Sequence, residues 1–265
     1  MNKLFAAFLH RSGLREVPRQ VRTWFARMRS NDAKLIQHVE TYNDFFFEDL
    51  NVSREEAEKE FSRVNAILNL NPGKRTSCHR FCFAALAVSG FKPKTILELG
   101  TSFGATTAFL STIFPESTVY TFDLPPDDPL LEQFHPIDIR NNRNDLHKNR
   151  LDAKNIVQIQ KNSIHLLGED LPKFDLIWLD GGHFYPEVAW DHFYCMHRLN
   201  SGGWVFSDDI VRPEDCERGR APDPWNVLEY FNSRFENKFK LLLKRENVID
   251  HLLLPKYIGV LNKTK

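Results

Sequence analysis

Cysteine is scarce in this sequence, and the few cysteines present are scattered. The chain has 265 residues and four cysteines, Cys78, Cys82, Cys195 and Cys216. A secreted domain held together by disulfides is much richer in cysteine, so the sequence does not fit that class. Cys78 and Cys82 are one helical turn apart, but no Cys or His partners with zinc spacing accompany them. We therefore expect core cysteines in a protein from a reducing compartment.

Long apolar runs and an excess of one charge are also absent. No stretch approaches the roughly 18 apolar residues that cross a membrane. The apolar run from Leu4 to Leu9 is shorter than the core of a signal peptide. The 35 basic and 35 acidic residues cancel, so no global field indicates a nucleic acid as the partner. We expect a cytoplasmic protein that does not bind nucleic acid.

The first 75 residues predict a helical extension. Residues 1–30 carry seven basic side chains and one acidic side chain among apolar residues, which is typical of a basic amphipathic helix. Such a helix either contacts an anionic membrane surface or an acidic partner, or packs on the remaining chain with its basic face in water. Ser53-Arg-Glu-Glu56 resembles a capping box before a second helical stretch, and Asn71-Pro-Gly73 indicates a boundary. We expect an extension over 1–75 and a second domain over 76–265.

From residue 76 onward, helical and extended patterns alternate. A helix is predicted at 77–89. Short apolar runs predict seven strands, at 95–99, 118–122, 156–160, 174–179, 204–207, 239–244 and 257–261. Helical candidates lie between them at 104–113, 142–150, 163–167, 184–199 and 225–235. This alternation predicts an α/β fold, with a mostly parallel seven-stranded sheet and helices on both faces.

The segment Glu98-Leu99-Gly100-Thr101-Ser102-Phe103-Gly104 joins a predicted buried strand to a helix through a glycine turn. Without a Cβ, Gly100 allows a sharp turn and close approach to a ligand, and Gly104 allows the helix start to pack on the strand. The spacing differs from the G-x-G-x-x-G of dinucleotide-binding turns, whose helix receives a pyrophosphate. We therefore expect a ligand without a diphosphate.

This segment resembles motif I, E/D-x-G-x-x-x-G, of the class I methyltransferases that use S-adenosylmethionine (SAM). The resemblance implies a Rossmann-like fold and a cofactor site formed by Glu98, Gly100, Thr101, Ser102 and Gly104. It also implies that Asp123, at the end of the second strand, accepts hydrogen bonds from the two ribose hydroxyls. Ser163 follows the third strand, where members of the family contact the adenine edge, although Lys161 and Asn162 replace the acid often found there.

Three aspartates follow the fourth and fifth predicted strands: Asp180 ends one, and Asp208 and Asp209 end the other. Ligands of open α/β sheets bind beyond the carboxyl ends of the strands, so these acids should meet there. Three adjacent carboxylates need a compensating cation, and oxygen ligands suit Mg²⁺ or Ca²⁺ better than zinc. The sequence predicts a divalent ion, Mg²⁺ or another, held by these three residues. Alternatively, Asp180 caps a turn and the other two are solvated loop acids.

The pattern D-G-G-H-x-Y over Asp180 to Tyr185, followed by D-D, resembles the metal-dependent small-molecule O-methyltransferases and the broader methyltransferase family 24. The resemblance implies in-line transfer of the SAM methyl group to a metal-bound acceptor hydroxyl. Asp180 would belong to the catalytic centre, His183 would take the hydroxyl proton, and Tyr185 would orient the acceptor. Alternatively, His183 is only a hydrogen-bond partner and Tyr185 packs at a helix start. The expected acceptor is a small hydroxylated molecule such as a sugar or glycan.

Two other functions stay open at this point. An NAD(P)-dependent oxidoreductase has a similar sheet, but the missing G-x-G-x-x-G and the acidic cluster count against it. A binding or scaffold protein could keep the fold without catalysis, because a fold does not imply an activity. The segment between the second and third strands, with Asp127-Asp128 and the basic residues 140–150, either covers the cofactor, contacts an acidic acceptor or forms a solvated helix.

Overall fold

Seven strands form one sheet in the residues that the computed structural model describes, which are 41–70, 77–134, 137–213, 222–244 and 256–264. The strand bounds are β1 Thr95–Leu99, β2 Thr118–Asp123, β3 Ile156–Gln160, β4 Phe174–Leu179, β5 Leu199–Ile210, β6 Lys240–Leu243 and β7 Tyr257–Asn262. The predicted basic helix at 1–30 lies outside the described residues.

The strand order is β3-β2-β1-β4-β5-β7-β6. The strands β1 to β5 pair in parallel, and β7 is antiparallel to both of its neighbours. The inner strands β1 and β4 are buried along almost their whole length, because helices cover both faces of the sheet, and they therefore consist of continuous apolar runs. The predicted α/β, Rossmann-like, mostly parallel sheet is confirmed.

Eight α-helices lie in the described residues, at α1 Asp44–Leu50, α2 Arg54–Ile67, α3 His79–Val88, α4 Ala105–Ile113, α5 Pro129–Phe134, α6 Ile137–Arg150, α7 Glu187–Arg198 and α8 Asp223–Arg234, with a 3₁₀ helix at Ser163–Gly168. The predicted capping box of α2 is present: the Ser53 hydroxyl accepts from the Glu56 N–H at 3.2 Å, and the Glu56 carboxylate accepts from the Ser53 N–H at 3.2 Å. The sequence did not predict α5.

The helices α1 and α2 share a hydrophobic core with α3 and the sheet. The ring of Phe46 in α1 packs edge-on against Trp204 and Phe206 of β5, with ring centroids 5.8 and 6.0 Å apart. Asn43, just before α1, exchanges two hydrogen bonds with the backbone of Leu243 in β6, at 2.7 and 3.0 Å. The domain boundary at residue 75 stays a prediction, and residues 41–70 cover one face of the sheet.

Cys78, Cys82 and Cys195 are buried, as expected for core cysteines, and Cys216 lies outside the described residues. Within the described ranges, no helix is long and apolar enough to cross a membrane.

Candidate active site

The turn between β1 and α4 depends on two glycines with positive φ. Gly100 has φ +95, and a Cβ added there would lie 2.1 Å from the carbonyl oxygen of Asp180. Gly104 has φ +74, and its Cβ would lie 3.1 Å from Cδ2 of Leu151. The nearest neighbours of Gly104 therefore come from the end of α6 and the residue after it, and not from β1 as predicted. Only glycine fits at Gly100, because any other residue combines an unfavourable φ with a backbone clash.

A buried polar network lies behind this turn. The carboxylate of Glu98 is completely buried and accepts hydrogen bonds from the hydroxyls of Thr107 and Thr121, the second at 2.7 Å. The hydroxyls of Thr101 and Thr121 lie 2.6 Å apart. Burial raises the pKa of Glu98 to about 8, although the two threonine hydrogen bonds act in the opposite direction. Glu98 and Thr101, both predicted cofactor contacts, thus connect the turn to α4 and β2 from behind.

A cavity of about 820 Å³ opens beyond the carboxyl ends of β1, β2 and β4. Six of the predicted site residues line it: Gly100, Ser102, Asp123, Ser163, Asp180 and His183. Glu98, Thr101 and Gly104 are not part of the cavity wall, and neither are Asp208 and Asp209. The structure therefore brings the predicted cofactor turn and the Asp180–His183 segment to one cavity, as the sheet topology requires.

Asp123 is held at the cavity wall by three donors. Its Oδ2 accepts from the Ser102 N–H at 2.6 Å and lies 3.1 Å from Nη2 of Arg143, and its Oδ1 accepts from the Leu124 N–H at 2.8 Å. Arg143 is only 3% exposed, and its Nη2 also donates to the Leu124 carbonyl at 3.0 Å. A carboxylate oxygen can accept more than one hydrogen bond, so Oδ1 of Asp123 keeps capacity for a ligand hydroxyl.

Sequence analysis missed the individual role of Arg143. The signal was the basic segment 140–150, for which covering the cofactor was one of the interpretations. A buried arginine and a solvated arginine look the same in such a segment, because only the tertiary structure places a carboxylate beside one of them.

His183 and Asp180 form a histidine–carboxylate pair in the cavity. Nε2 of His183 lies 3.5 Å from Oδ1 of Asp180 and 4.0 Å from Oδ2 of Asp209. Burial alone would lower the pKa of His183, but the hydrogen bond with Asp180 and the negative charges of Asp209, Asp180 and Asp208 outweigh burial and raise it. This arrangement can accept a proton and stabilise the resulting imidazolium.

Asp208 and Asp209 reach the same region because β5 is irregular. Consecutive residues of a regular strand point to opposite faces, but the pairing of β5 with β7 shifts between Ser207 and Ile210, and Asp209 has φ +56. Both aspartates therefore contact one side chain. Nζ of Lys244 lies 2.5 Å from Oδ2 of Asp208 and 3.1 Å from Oδ1 of Asp209.

A second lysine completes the neutralisation of these acids: Nζ of Lys256 lies 2.6 Å from Oδ2 of Asp209. The prediction that a cation compensates the acidic cluster therefore has a structural counterpart, but the cations are lysine ammonium groups. The Mg²⁺ ligand set of Asp180, Asp208 and Asp209 stays a prediction, and ammonium groups contact three of the four carboxylate oxygens of Asp208 and Asp209. Across the described ranges, no group of three or more His, Cys, Asp or Glu side chains is arranged to hold a metal ion.

Asp191 in α7 is a further cavity residue that sequence analysis missed. Burial raises the pKa of Asp191 to about 6, and its Oδ1 has no hydrogen-bond partner among the described residues. Glu187 lies one helical turn earlier and also lines the cavity. The available signal was their spacing of four residues, which places both acids on one face of a helix. That helix was predicted directly after the Asp180–His183 segment.

Residues 97–210 match the family model described as a methyltransferase domain, methyltransferase family 24. The matched segment runs from β1 to the end of β5. It contains the glycine turn, Asp123 and the Asp180–His183 pair, and it ends just after Asp209. No curated protein is similar enough to the chain to count as a match.

The fold is similar to those of solved O-methyltransferases. One is from Streptomyces achromogenes, acts in tomaymycin synthesis and was solved in complex with SAM; it has 14% identity and a TM-score of 0.53, and the match covers 84% of this chain and 96% of that chain. Another, from Bacillus cereus, was solved in complex with SAH, the demethylated product of SAM. It has 16% identity and a TM-score of 0.52, and the match covers 85% of this chain and 100% of that chain. At these identities the likeness shows a shared fold.

Proposed function

We propose that residues 97–210, which match the methyltransferase-domain model, form a SAM-dependent methyltransferase domain that transfers the methyl group of SAM to a hydroxyl of a small acceptor. One observation carries the proposal. A single cavity contains both the glycine turn with Asp123 and the Asp180–His183 pair. The first is the expected site for an adenosyl cofactor, and the second is the expected site for removing a proton from an acceptor.

The residues present fit SAM. The cavity of about 820 Å³ lies within the roughly 300–1,000 Å³ of small-molecule sites. Oδ1 of Asp123 has capacity for a ribose hydroxyl, while Ser102 and Arg143 hold the carboxylate in place. Ser163 lies in the cavity wall for contact with the adenine edge. Glu98 and Thr101 support the turn from behind, which gives them a structural role in cofactor binding.

SAM, when bound, supplies a methyl group on a positively charged sulfur, which an acceptor oxygen can displace in line. His183 takes the proton of the acceptor hydroxyl, since its neutral form is a base in the cavity wall. Asp180 orients the imidazole and stabilises its protonated form, as the contact of 3.5 Å between the two side chains indicates. This mechanism needs no divalent ion, since lysine ammonium groups contact Asp208 and Asp209.

A ring-containing acceptor such as a sugar is the most specific acceptor that we propose. Phe184 and Tyr185 line the cavity and are 59% and 48% exposed, so two aromatic rings stand at its open side. Aromatic rings offer flat apolar faces against which a ring-shaped ligand can pack, and the Tyr185 hydroxyl can hydrogen-bond to it. Contact of residues 1–30 with a membrane surface stays a prediction.

Calorimetry and mass spectrometry test this function. SAM should bind to the wild-type protein, whereas NADH and NADPH should not. Incubation with SAM and a panel of sugars and phenols should yield an acceptor that is heavier by one CH₂ group. His183→Ala should retain SAM binding and lose transfer. Binding of NADPH in place of SAM would make the protein an oxidoreductase, and SAM binding without transfer to any hydroxylated acceptor would make it a scaffold.

A further inference from the structure

The acidic cluster beside the cavity contains two lysines that come from the far end of the sheet. Lys244 directly follows β6 and Lys256 directly precedes β7, and the Lys244 N–H donates to the Lys256 carbonyl at 2.9 Å. The antiparallel pairing of β6 and β7 therefore delivers both ammonium groups to one place. The end of β5 delivers Asp208 and Asp209 to the same place.

Both lysines are largely buried there. The side chain of Lys244 is 9% exposed and that of Lys256 is 13% exposed. A buried ammonium group is stable only with anionic partners, and both lysines contact carboxylates directly. Burial alone would lower the pKa of Lys244, but the charges of Asp208, Asp209 and Asp180 raise it above the ordinary value. Lys244 is therefore positively charged at neutral pH.

Three of the four carboxylate oxygens of Asp208 and Asp209 are occupied, and Oδ1 of Asp208 has no hydrogen-bond partner among the described residues. Oδ2 of Asp208 and Oδ1 of Asp209 bind Lys244, and Oδ2 of Asp209 binds Lys256. Mg²⁺ or Ca²⁺ requires several oxygen ligands at about 2.0–2.6 Å. An ion at this position would compete with both ammonium groups for the same lone pairs, and it would be repelled by their charges at short distance.

We propose that the ammonium group of Lys244, together with that of Lys256, takes the place of a divalent ion beside His183, so that methyl transfer proceeds without a metal. This inference rests on the proposed function of the cavity. Lys244 is a positioning residue: it fixes Asp208 and Asp209 and reduces the negative charge around His183. Three aspartates face two lysines, so carboxylates remain near His183 to stabilise the imidazolium that forms when it takes a proton.

The test is a titration of the full chain with Mn²⁺, whose free and bound forms differ in their electron paramagnetic resonance signal. The variants are Lys244→Met, which removes the charge at similar side-chain length, and Lys244→Arg, which retains it. Lys240→Met is the matched control, because Lys240 begins the strand that Lys244 follows, but its side chain is 56% exposed and pairs with Asp49. Thermal unfolding verifies that each variant is folded.

We expect wild type, Lys244→Arg and Lys240→Met to bind Mn²⁺ weakly or not at all. Lys244→Met should bind it at least about tenfold more tightly, because the aspartates lose their competing cation. Methyl transfer by the wild type should be unchanged in EDTA. Tight binding of one Mn²⁺ by the wild type, or loss of its activity in EDTA, overturns the proposal. A folded Lys244→Met variant that binds Mn²⁺ no better than the wild type also overturns it.

If Lys244→Met does not fold, the Mn²⁺ titration of the wild type and its activity in EDTA still test the proposal. The Mn²⁺ titration needs neither SAM nor an acceptor. A failure of this inference therefore remains distinguishable from a failure of the proposed methyl transfer, which calorimetry with SAM and the acceptor panel test separately.

Discussion

The carbonyl oxygen of Asp180 occupies the space that a side chain at Gly100 would need, since a Cβ there would lie 2.1 Å away. The Asp180 N–H also donates to the carbonyl of Leu99 at 2.8 Å. The ends of β1 and β4 are thus in direct backbone contact. This contact joins the glycine turn of the cofactor site to the segment that carries His183.

Gly100→Ala should therefore destabilise the protein strongly and abolish SAM binding. The alanine would combine an unfavourable φ with a clash against backbone atoms that cannot rotate away. We expect the free energy of unfolding to fall by at least about 4 kcal/mol. Urea unfolding followed by circular dichroism measures the change.

Gly90→Ala is the matched control. Gly90 has φ +84, close to that of Gly100, but nothing lies within 4 Å of an added Cβ. Only the cost of the positive φ applies there, so the free energy of unfolding should fall by roughly 1–2 kcal/mol. Equal losses in the two variants would show that the contact with Asp180 is unimportant.

Asp123→Asn should weaken SAM binding about 10- to 100-fold, because hydrogen bonds to a charged acceptor contribute roughly 1.5–3 kcal/mol. The variant also leaves Arg143 buried without its anionic partner, so thermal stability should fall as well. Calorimetry at a temperature where the variant is folded separates the two effects. Asp127→Asn, at an exposed position in the loop that follows β2, should change neither quantity. Unaltered SAM affinity in Asp123→Asn would remove Asp123 from the cofactor site.

The rate of methyl transfer should depend on pH through His183. Its pKa lies above the ordinary value of histidine, and the base must be neutral, so the rate should rise as the pH increases through that raised pKa. Asp180→Asn removes the contact that contributes most to raising it, so the acidic limb of the profile should move to lower pH while kcat falls. Glu187→Gln changes a different cavity acid and should leave the limb in place. A limb that stays fixed in Asp180→Asn would contradict the role of His183 as the base.

Glu98→Gln should alter how stability varies with pH. The folded protein keeps the Glu98 proton up to a pKa of about 8, whereas the ordinary value is 4.5. The unfolded chain releases this proton first, so the wild type loses stability as the pH rises between these values, by about 5 kcal/mol in total. Glutamine cannot ionise, so the variant should gain stability relative to the wild type from about pH 5 to about pH 9.

Urea unfolding at about pH 5 and about pH 9 measures this difference in stability. Glu116→Gln, at an exposed position between α4 and β2, should follow the wild type at each pH. Parallel pH profiles for Glu98→Gln and the wild type would mean that Glu98 is ionised in the folded protein.

The strands were the most predictable part of the fold. The bounds of β1, β3 and β4 coincide with the predicted ranges. β1 and β4 are buried on both faces, which leaves apolar runs that turn residues interrupt. β3 lies at the edge of the sheet and is partly exposed. β5 begins at Leu199 and not at 204, since Gly202 and Gly203 within it resemble a turn in the sequence. The two helices between β2 and β3, α5 and α6, were predicted poorly, because Pro- and Asp-rich sequence obscures helical periodicity.

The site was predictable where its residues are close in sequence. The glycine turn and the Asp180–His183 pair each lie within one connection that follows a strand. Lys244 and Lys256 were not predictable, because they meet Asp208 and Asp209 across 35 to 47 residues. Their positions depend on the pairing register of β6, β7 and β5, which local patterns do not determine.

The two hydrogen bonds between Asn43 and Leu243 connect residues that are 200 positions apart. A ribosome must therefore add almost the whole described sequence before the partner of Asn43 exists. Until then, the edge of the sheet beside Asn43 is incomplete, and the segment before α1 cannot be fixed to β6. Closing such a long loop makes the docking of α1 a late event of folding.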